Sequence, residues 1–482
     1  MKNEKLIKKI ILILLFIFGF GVRLWKINTP LADWHSWRQA DTASVAHFFV
    51  QDGYNLLKPK YHDLSSVPSG LDNPEGLRFV EFPLYNAAHA FIFKLASSLK
   101  VTSLSFNAVG RLVSIFSWLI TGWFLYCLAK KGKQEKVGLW SLFFFLFIPY
   151  NIFYSRTILP EPMMLALALA SIFFLTKEKM LLAVTLGALS LLVKPYALFI
   201  LFPSWLIIFW QVGKKNKFLL PACYLLLTTL PFAAWRFWIS HFPEGIPSSG
   251  WLFNDSGIRF RPAWWRWLFG ERLGRLILGH WGTALLILGL TRKIKKETVL
   301  FWSWLIGGFA FLAVFAQGNV QHDYYQILLS PALAIFLGLG ANFLFNFPFK
   351  LLGERIKVKA LTLGLVGFTL AFSWYFVKDY YSINRPEIVE AGDKVNEILP
   401  LEAKVIAPYA GDTAFLYQTK RRGWPIITRS LEETIKKGAT HYVAVDYDHV
   451  TNEAINRCQI LFEDQDKRYV IVDLQNCTPK EK

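Results

Sequence analysis

Residues 32–49 read ADWHSWRQADTASVAHFF. Asp33, His35, Arg38, Gln39 and Asp41 crowd into this one stretch. Carboxylates beside an imidazole and a guanidinium suit one kind of chemistry, in which a proton is taken from a hydroxyl while a cation stabilises developing negative charge. Ser36 with Gln39 three residues on fits a capping box and predicts a helix start, and Gly53 predicts its end. At about 100° per residue, Trp37, Asp41, Val45 and Phe48 share one face, which places Asp41 inside an apolar stripe. An aspartate there is costly unless it is paired or used. One reading is a structural ion pair between Arg38 and Asp41. The other is a general base, Asp41 or Asp33, with His35 sharing the site. The face argument favours Asp41.

More polar groups fall at the ends of apolar runs. Glu81 stands in VEFPLYNAAHAFIFKL, an amphipathic segment too short to span a bilayer and suited to lying on its surface. Arg156 and Glu161 flank the turn in YSRTILPEPMM, Lys194 sits in LLVKPYALF, and QGNVQHDYYQ carries His322, Tyr324 and Tyr325. A lone charge at such an end is commonly a snorkelling anchor, but these gather on one side of the chain's expected topology. The loop 237–273 adds Arg259 and Arg261, with Arg266 and Arg272 and no lysine. Arginine is the better bidentate phosphate ligand, and a basic interfacial loop held by anionic lipid is the alternative. Base, cations and membrane edge together fit a substrate with a lipid tail, a phosphate and a reacting group just outside the bilayer. A lipid-phosphate sugar is such a substrate.

The elements that must position these residues follow from composition. Of 482 residues, 54% are hydrophobic and only 18% charged, and mean hydropathy is +0.34. Soluble chains carry nearer ~25% charged residues. Apolar runs of spanning length recur, so the class is a polytopic α-helical membrane protein. The net charge of +19 does not indicate nucleic acid, because Lys and Arg cluster between apolar runs at 2–9, 130–136, 177–179, 214–217, 292–296 and 350–359. That is the positive-inside pattern. It predicts eleven spans near 6–25, 107–129, 137–154, 160–176, 180–195, 197–212, 218–236, 274–291, 299–316, 326–347 and 359–377. The N-terminus is then cytoplasmic and the first span a retained anchor. A first outer loop (26–106), the loop 237–273 and the tail lie on the extracytoplasmic side.

The division expected is a membrane domain, 1–377, and a small extracytoplasmic α/β domain, 378–482. In the tail, AKVIAPYA, THYVAVDY and RYVIVDL read as strands, and SLEETIKKGA as a helix closed by Gly438. It holds no catalytic motif and reads as a structural or acceptor-docking domain. Cys127 and Cys223 fall in apolar spans as inert packing residues. Cys458 and Cys477 share the tail, where a disulfide would persist, but spacing alone leaves bridge and free thiols equally open. With no CxxC or Cys/His cluster, no zinc site is expected.

The order of motifs resembles that of the GT-C glycosyltransferases, in particular the family-39-like group of protein O-mannosyltransferases and aminoarabinose–lipid A transferases. The shared elements are the polar helix after the first span, EFPLY with its amphipathic helix, VGRLVSIF, YSRTILPEPMM, LLVKPYALF and HDYYQILLSPALA. The resemblance implies an inverting transferase that takes a hexosyl or pentosyl group from a polyprenyl phosphate, with an aspartate in the first outer loop as base. Protein, lipid or glycan could be the acceptor. Some GT-C branches use a divalent metal at an outer-loop carboxylate; others use none. The chain departs from the family-39 pattern at one point: Arg38-Gln39 stands where an Asp-Glu pair is usual, which defines a divergent HxWRQxD form. Arg38, Lys194 and the loop arginines are then the candidates for the phosphate. Two other classes are a transporter or flippase, for which midplane charges and inverted repeats are missing, and a non-catalytic envelope scaffold. A phosphoethanolamine or acyl transferase would need a nucleophile set that the sequence does not supply.

Overall fold

The computed structural model describes residues 2–101, 103–130, 134–212, 219–255, 257–294, 298–348 and 355–478. The basic cluster 214–217 lies outside them, as do 131–133, 295–296 and 350–354 of three other clusters. By compactness the chain forms two units. One, the helical unit, comprises Met1–Ile27, Arg111–Arg236 and Ser249–Tyr380; the other, the loop–tail unit, comprises Asn28–Gly110, Phe237–Ser248 and Tyr381–Lys482. Residues 28–110 therefore cluster with the tail, although the expected boundary at 377/378 put them with the spans.

The protein is a polytopic helical membrane protein. All eleven expected segments are helical over most of their length. Among the described residues, four helices are apolar and long enough to cross a bilayer: Phe106–Ala129, Leu219–Ile239, Asp323–Phe345 and Val358–Tyr381. Glu161–Leu175, Met180–Val193, Pro195–Trp210 and Val299–Val314 are apolar but shorter. The segment expected as one span at 274–291 is broken: Pro262–Ile277 and Gly282–Leu290 meet at 113°. Gly279 and His280 turn the chain there with positive φ, and a Cβ on Gly279 would lie 2.5 Å from the Thr369 carbonyl oxygen. The segment 137–154 is likewise two helices, Glu135–Phe147 and Pro149–Tyr154, because Pro149 has no N–H to continue the ladder. Lys194 is extended between Met180–Val193 and Pro195–Ala197, which makes the expected tight turn. Cys127 is half-buried; Cys223 is exposed and so is not the packing residue expected.

The loop–tail unit is built on one five-stranded sheet. Its strands are β1 (Lys404–Ile406), β2 (Arg422–Trp424), β3 (His441–Ala444), β4 (Gln459–Glu463) and β5 (Val470–Asp473), in the order β2-β1-β3-β5-β4. β1 runs parallel to β2 and β3, while β5 is antiparallel to β3 and β4. The sequence marks β1, β3 and β5 by their Val, Ile and Tyr. It does not mark the two edge strands. β2 is Arg-Gly-Trp, and its Gly423 is required because a Cβ there would lie 1.7 Å from the Val405 carbonyl oxygen. The free side of β2 takes up the first loop: Gly423 N–H donates to His62 O (2.9 Å), and Leu64 N–H donates to Gly423 O (2.8 Å). Leu64 then joins Ile406, Trp424 and Tyr442 in the core beside the sheet. The helix Leu431–Lys436 closes before Gly438, at φ +101°, as expected, and Cys458 is bonded to Cys477.

Candidate active site

The polar stretch forms the helix Ser36–Gln51. It begins where expected, but not through a capping box. His35 occupies the cap position with φ 54°, and no side chain caps the helix. Gln39 reaches back past Ser36 instead, donating to Asp33 Oδ1 at 2.8 Å. The far end is as expected: Asp52 N–H donates to Phe48 O, and Gly53 turns away at φ +88°. The single apolar stripe is not observed. Every residue from Arg38 to Ala46 is buried, because the helix packs between Leu84–Ser98 and the tail helix Thr413–Gln418. Ala40 belongs to the tail's core, while Val45, Ala46 and Phe49 pack with Tyr61 and Ala90. The Leu84–Ser98 helix leaves Phe91, Leu95 and, just beyond its end, Leu99 exposed. That apolar face suits a helix on a membrane surface.

Asp41 is 4% exposed, and its partners are not those expected. Arg78 pairs with Oδ2, and Thr413 donates to Oδ1 at 2.7 Å. Arg38 pairs instead with Glu81, its Nη2 lying 2.9 and 2.8 Å from the two carboxylate oxygens. The expected Arg38–Asp41 pair is therefore replaced by two parallel ones. Glu81, expected to touch substrate, neutralises Arg38. Asp41, Arg38, Arg78 and Glu81 together line a narrow cleft with Asn86 and Pro83. Asp33 is buried and receives the Gln39 amide, and His35 stacks edge-on against Trp34 at 5.2 Å. Arg78 and Thr413 were missed by the sequence reading, since nothing in GLRFVEF or GDTAFLY marks them. Asp412 caps the tail helix by accepting from Ala414 N–H (2.7 Å). Burial pushes its pKa up to about 6 against that bond, and the Asp41 carboxylate adds to the rise.

In the helical unit, Glu161 and Lys194 form a buried ion pair at 3.4 Å. The ammonium lies 5.6 Å over the Tyr196 ring, and Tyr196 meets Tyr325 hydroxyl to hydroxyl at 3.4 Å. His322 packs on both Tyr324 and Tyr325, with ring centres 5.5 and 5.6 Å away. Five expected residues thus form one chain of contacts, bridged by Tyr196. Arg156 donates to Lys26 O (2.7 Å) and Arg259 to Val314 O (3.3 Å), so both brace backbone; Arg261 is exposed. Another aspartate, Asp323, is fully enclosed. Tyr154 and Tyr380 donate to its carboxylate, the latter at 2.6 Å, and Arg272 stands 3.5 Å away.

The divalent metal that the resemblance allows finds no ready ligand set. Among the described residues, no three His, Cys, Asp or Glu side chains converge, and the carboxylates of Asp41 and Glu81 are each engaged by an arginine.

No protein-family model matches the sequence, and comparison with curated proteins returns no match. Solved structures do match. The chain is similar to ArnT from Cupriavidus metallidurans bound to undecaprenyl phosphate, with TM-score 0.65 and 10% identity over 97% of this chain and 99% of that one. It is also similar to the Archaeoglobus fulgidus oligosaccharyltransferase in complex with Zn and sulfate (TM-score 0.53, 12% identity, 89% and 67% covered). A third match is the oligosaccharyltransferase AglB from the same organism with an inhibitory peptide and a dolichol-phosphate (TM-score 0.51, 10% identity, 97% and 74% covered). The chain has the fold of the GT-C membrane glycosyltransferases. Its architecture follows ArnT along nearly the whole of both chains.

Proposed function

We propose that the chain is an inverting glycosyltransferase. It takes a hexosyl or pentosyl group from a polyprenyl phosphate and places it on an acceptor hydroxyl of a protein, lipid or glycan at the extracytoplasmic face of the cell membrane. The observation that carries this reading is the Asp41 carboxylate bordering a cleft with two arginines. The undecaprenyl phosphate in the ArnT structure and the dolichol-phosphate in the AglB structure support the donor class. Asp41 removes the acceptor's hydroxyl proton, and the oxygen attacks the anomeric carbon from the face opposite the phosphate. The carbon–oxygen bond to phosphate breaks, its electron pair leaves with the lipid phosphate, and the anomeric configuration inverts. Arg78 and Thr413 hold the base in one orientation. Arg38, steadied by Glu81, supplies positive charge beside the cleft. Asp41 is preferred to Asp33 because Asp41 lines the cleft and Asp33 does not. In the helical unit, Lys194 is proposed on its own buried geometry as a phosphate ligand. No step runs through a metal.

The test is a transfer assay in lipid with a panel of radiolabelled polyprenyl-phosphate sugars and an envelope extract as acceptor. Transfer lost in Asp41→Asn and kept in Asp33→Asn supports the assignment. Normal transfer in both variants removes Asp41 and Asp33 as bases. A folded protein that transfers from no donor moves the weight to a transporter or scaffold.

A further inference from the structure

A second cavity, of about 360 Å³, lies within the loop–tail unit. Its size falls in the roughly 300–1,000 Å³ range of small-molecule sites. It borders the same helix as Asp41 but at a different place. His47 is six residues on from Asp41, about 9 Å along the axis and about 120° around it. None of its lining residues borders the Asp41 cleft.

The cavity's chemistry is specific. Its walls are aromatic: Phe93, Phe106 and Tyr417. His47 and His62 stack on one another at 5.3 Å, and Tyr417 stands edge-on to His62 at 5.7 Å. Burial holds His62 well below its ordinary 6.5, and burial with the nearby Lys420 charge brings His47 down to about 4. Both rings are therefore neutral at pH 7. Ser44 Oγ accepts the His62 backbone N–H at 2.8 Å and also bonds its ring Nδ1. His62 Nε2 is buried and has no hydrogen-bond partner among the described residues. A buried polar atom left in that state is destabilising, and such groups are normally satisfied by a ligand or water. Two charged groups, Lys420 and Asp393, are exposed at the cavity's edge and opposite in sign.

We propose that this cavity is a binding site for a neutral carbohydrate of one or two sugar rings, separate from the Asp41 cleft. The C–H faces of a sugar ring stack on Phe106 and Tyr417. A sugar hydroxyl, which can donate or accept, pairs with His62 Nε2, and the Asn107 amide, held through its oxygen by Tyr417 (2.7 Å), offers further donors. An anionic ligand is disfavoured, because its charge would stand against neutral imidazoles in a buried cavity.

The experiment is saturation-transfer NMR on the full chain in lipid nanodiscs free of glycoside detergent. The probes are neutral methyl glycosides of glucose, mannose and N-acetylglucosamine, with glucuronate and a hexose 6-phosphate as charged arms. No donor lipid is present, so failure of the transferase reading does not affect the result. The expected outcome is transfer to at least one neutral glycoside, weakened about tenfold in His62→Phe, the loss of one hydrogen bond, and abolished when Val50→Trp fills the cavity. Thermal melts establish that both variants fold. A signal from no neutral glycoside at about 10 mM overturns the proposal. So does a signal only from the charged probes, or one unchanged in both variants.

Discussion

Asp41 and Asp323 are buried aspartates of two different units. Asp323, in the helical unit, has no exposed surface and is enclosed by Tyr154, Tyr380 and Arg272. Asp41, in the loop–tail unit, is nearly as buried, yet it borders a cleft and shares it with two arginines. Burial and a cationic neighbour are common to both, so neither marks a base. What distinguishes Asp41 is the cleft it borders together with Arg38, Arg78 and Glu81. Asp323 joins Pro149–Tyr154 to the end of the Val358–Tyr381 helix and has the geometry of a fastening.

That contrast can be broken by experiment. The largest effect is expected at Asp41: Asn there lowers kcat for sugar transfer by about 10²–10⁴-fold in the folded protein, while the uncompensated Arg78 lowers the thermal midpoint as well. Asp323→Ala is expected to change stability alone. Removing one partner of a buried charged cluster costs about 3–5 kcal/mol, so the midpoint falls by several degrees and the specific activity of the surviving folded fraction holds. If Asp323→Ala abolished transfer in fully folded protein, the distinction would fail.

A third, smaller effect concerns pH. Burial pushes the Asp63 pKa up to about 6, against the bond from Ser65 N–H, from an unfolded value near 3.8. The folded state then binds this proton more tightly than the unfolded state. Its contribution favours folding below about pH 4, is lost as pH rises towards 6, and stays lost above. The span is about 3 kcal/mol. Denaturant titrations of Asp63→Asn, subtracted from wild type across pH 4–7, should remove that slope, and an unchanged slope would refute it. The smallest effect is at Thr413. Replacing it by Val removes one hydrogen bond to Asp41, and a loss of about 1 kcal/mol should appear as a roughly fivefold drop in kcat with KM little changed.

How much of this was legible in the sequence depended on whether the signal was local. The limits of the Ser36–Gln51 helix could be read because Gly53 takes a positive φ that glycine tolerates. Asp41 was flagged, but for an incomplete reason: the helix is buried on nearly every side, because a tail segment far along the chain covers it. The pairing of Arg38 with Glu81 and Asp41 with Arg78 crosses 43 and 37 residues, and no periodicity encodes which arginine meets which carboxylate. Thr413 lies 372 residues from Asp41 and carried no mark at all. Membrane helices were legible from composition, and the break at Pro149 has a local cause, but the break at Gly279 depends on the close approach of Thr369. Edge strand β2 was invisible because its stability comes from a loop bonded to its free side rather than from its own Arg-Gly-Trp.

That bonded loop has a consequence for how the protein is made. Chains are synthesised from the N-terminus, and domains fold as they emerge. The helix with Asp41 and the loop around His62 are translated early, yet Gly423 and Thr413, which secure them, come hundreds of residues later. A nascent or prematurely stopped chain would hold Asp41 without its hydroxyl partner and residues 62–64 without a strand to join. The Asp41 helix thereby lacks its cover and its hydroxyl partner until the segment around Thr413 has been translated.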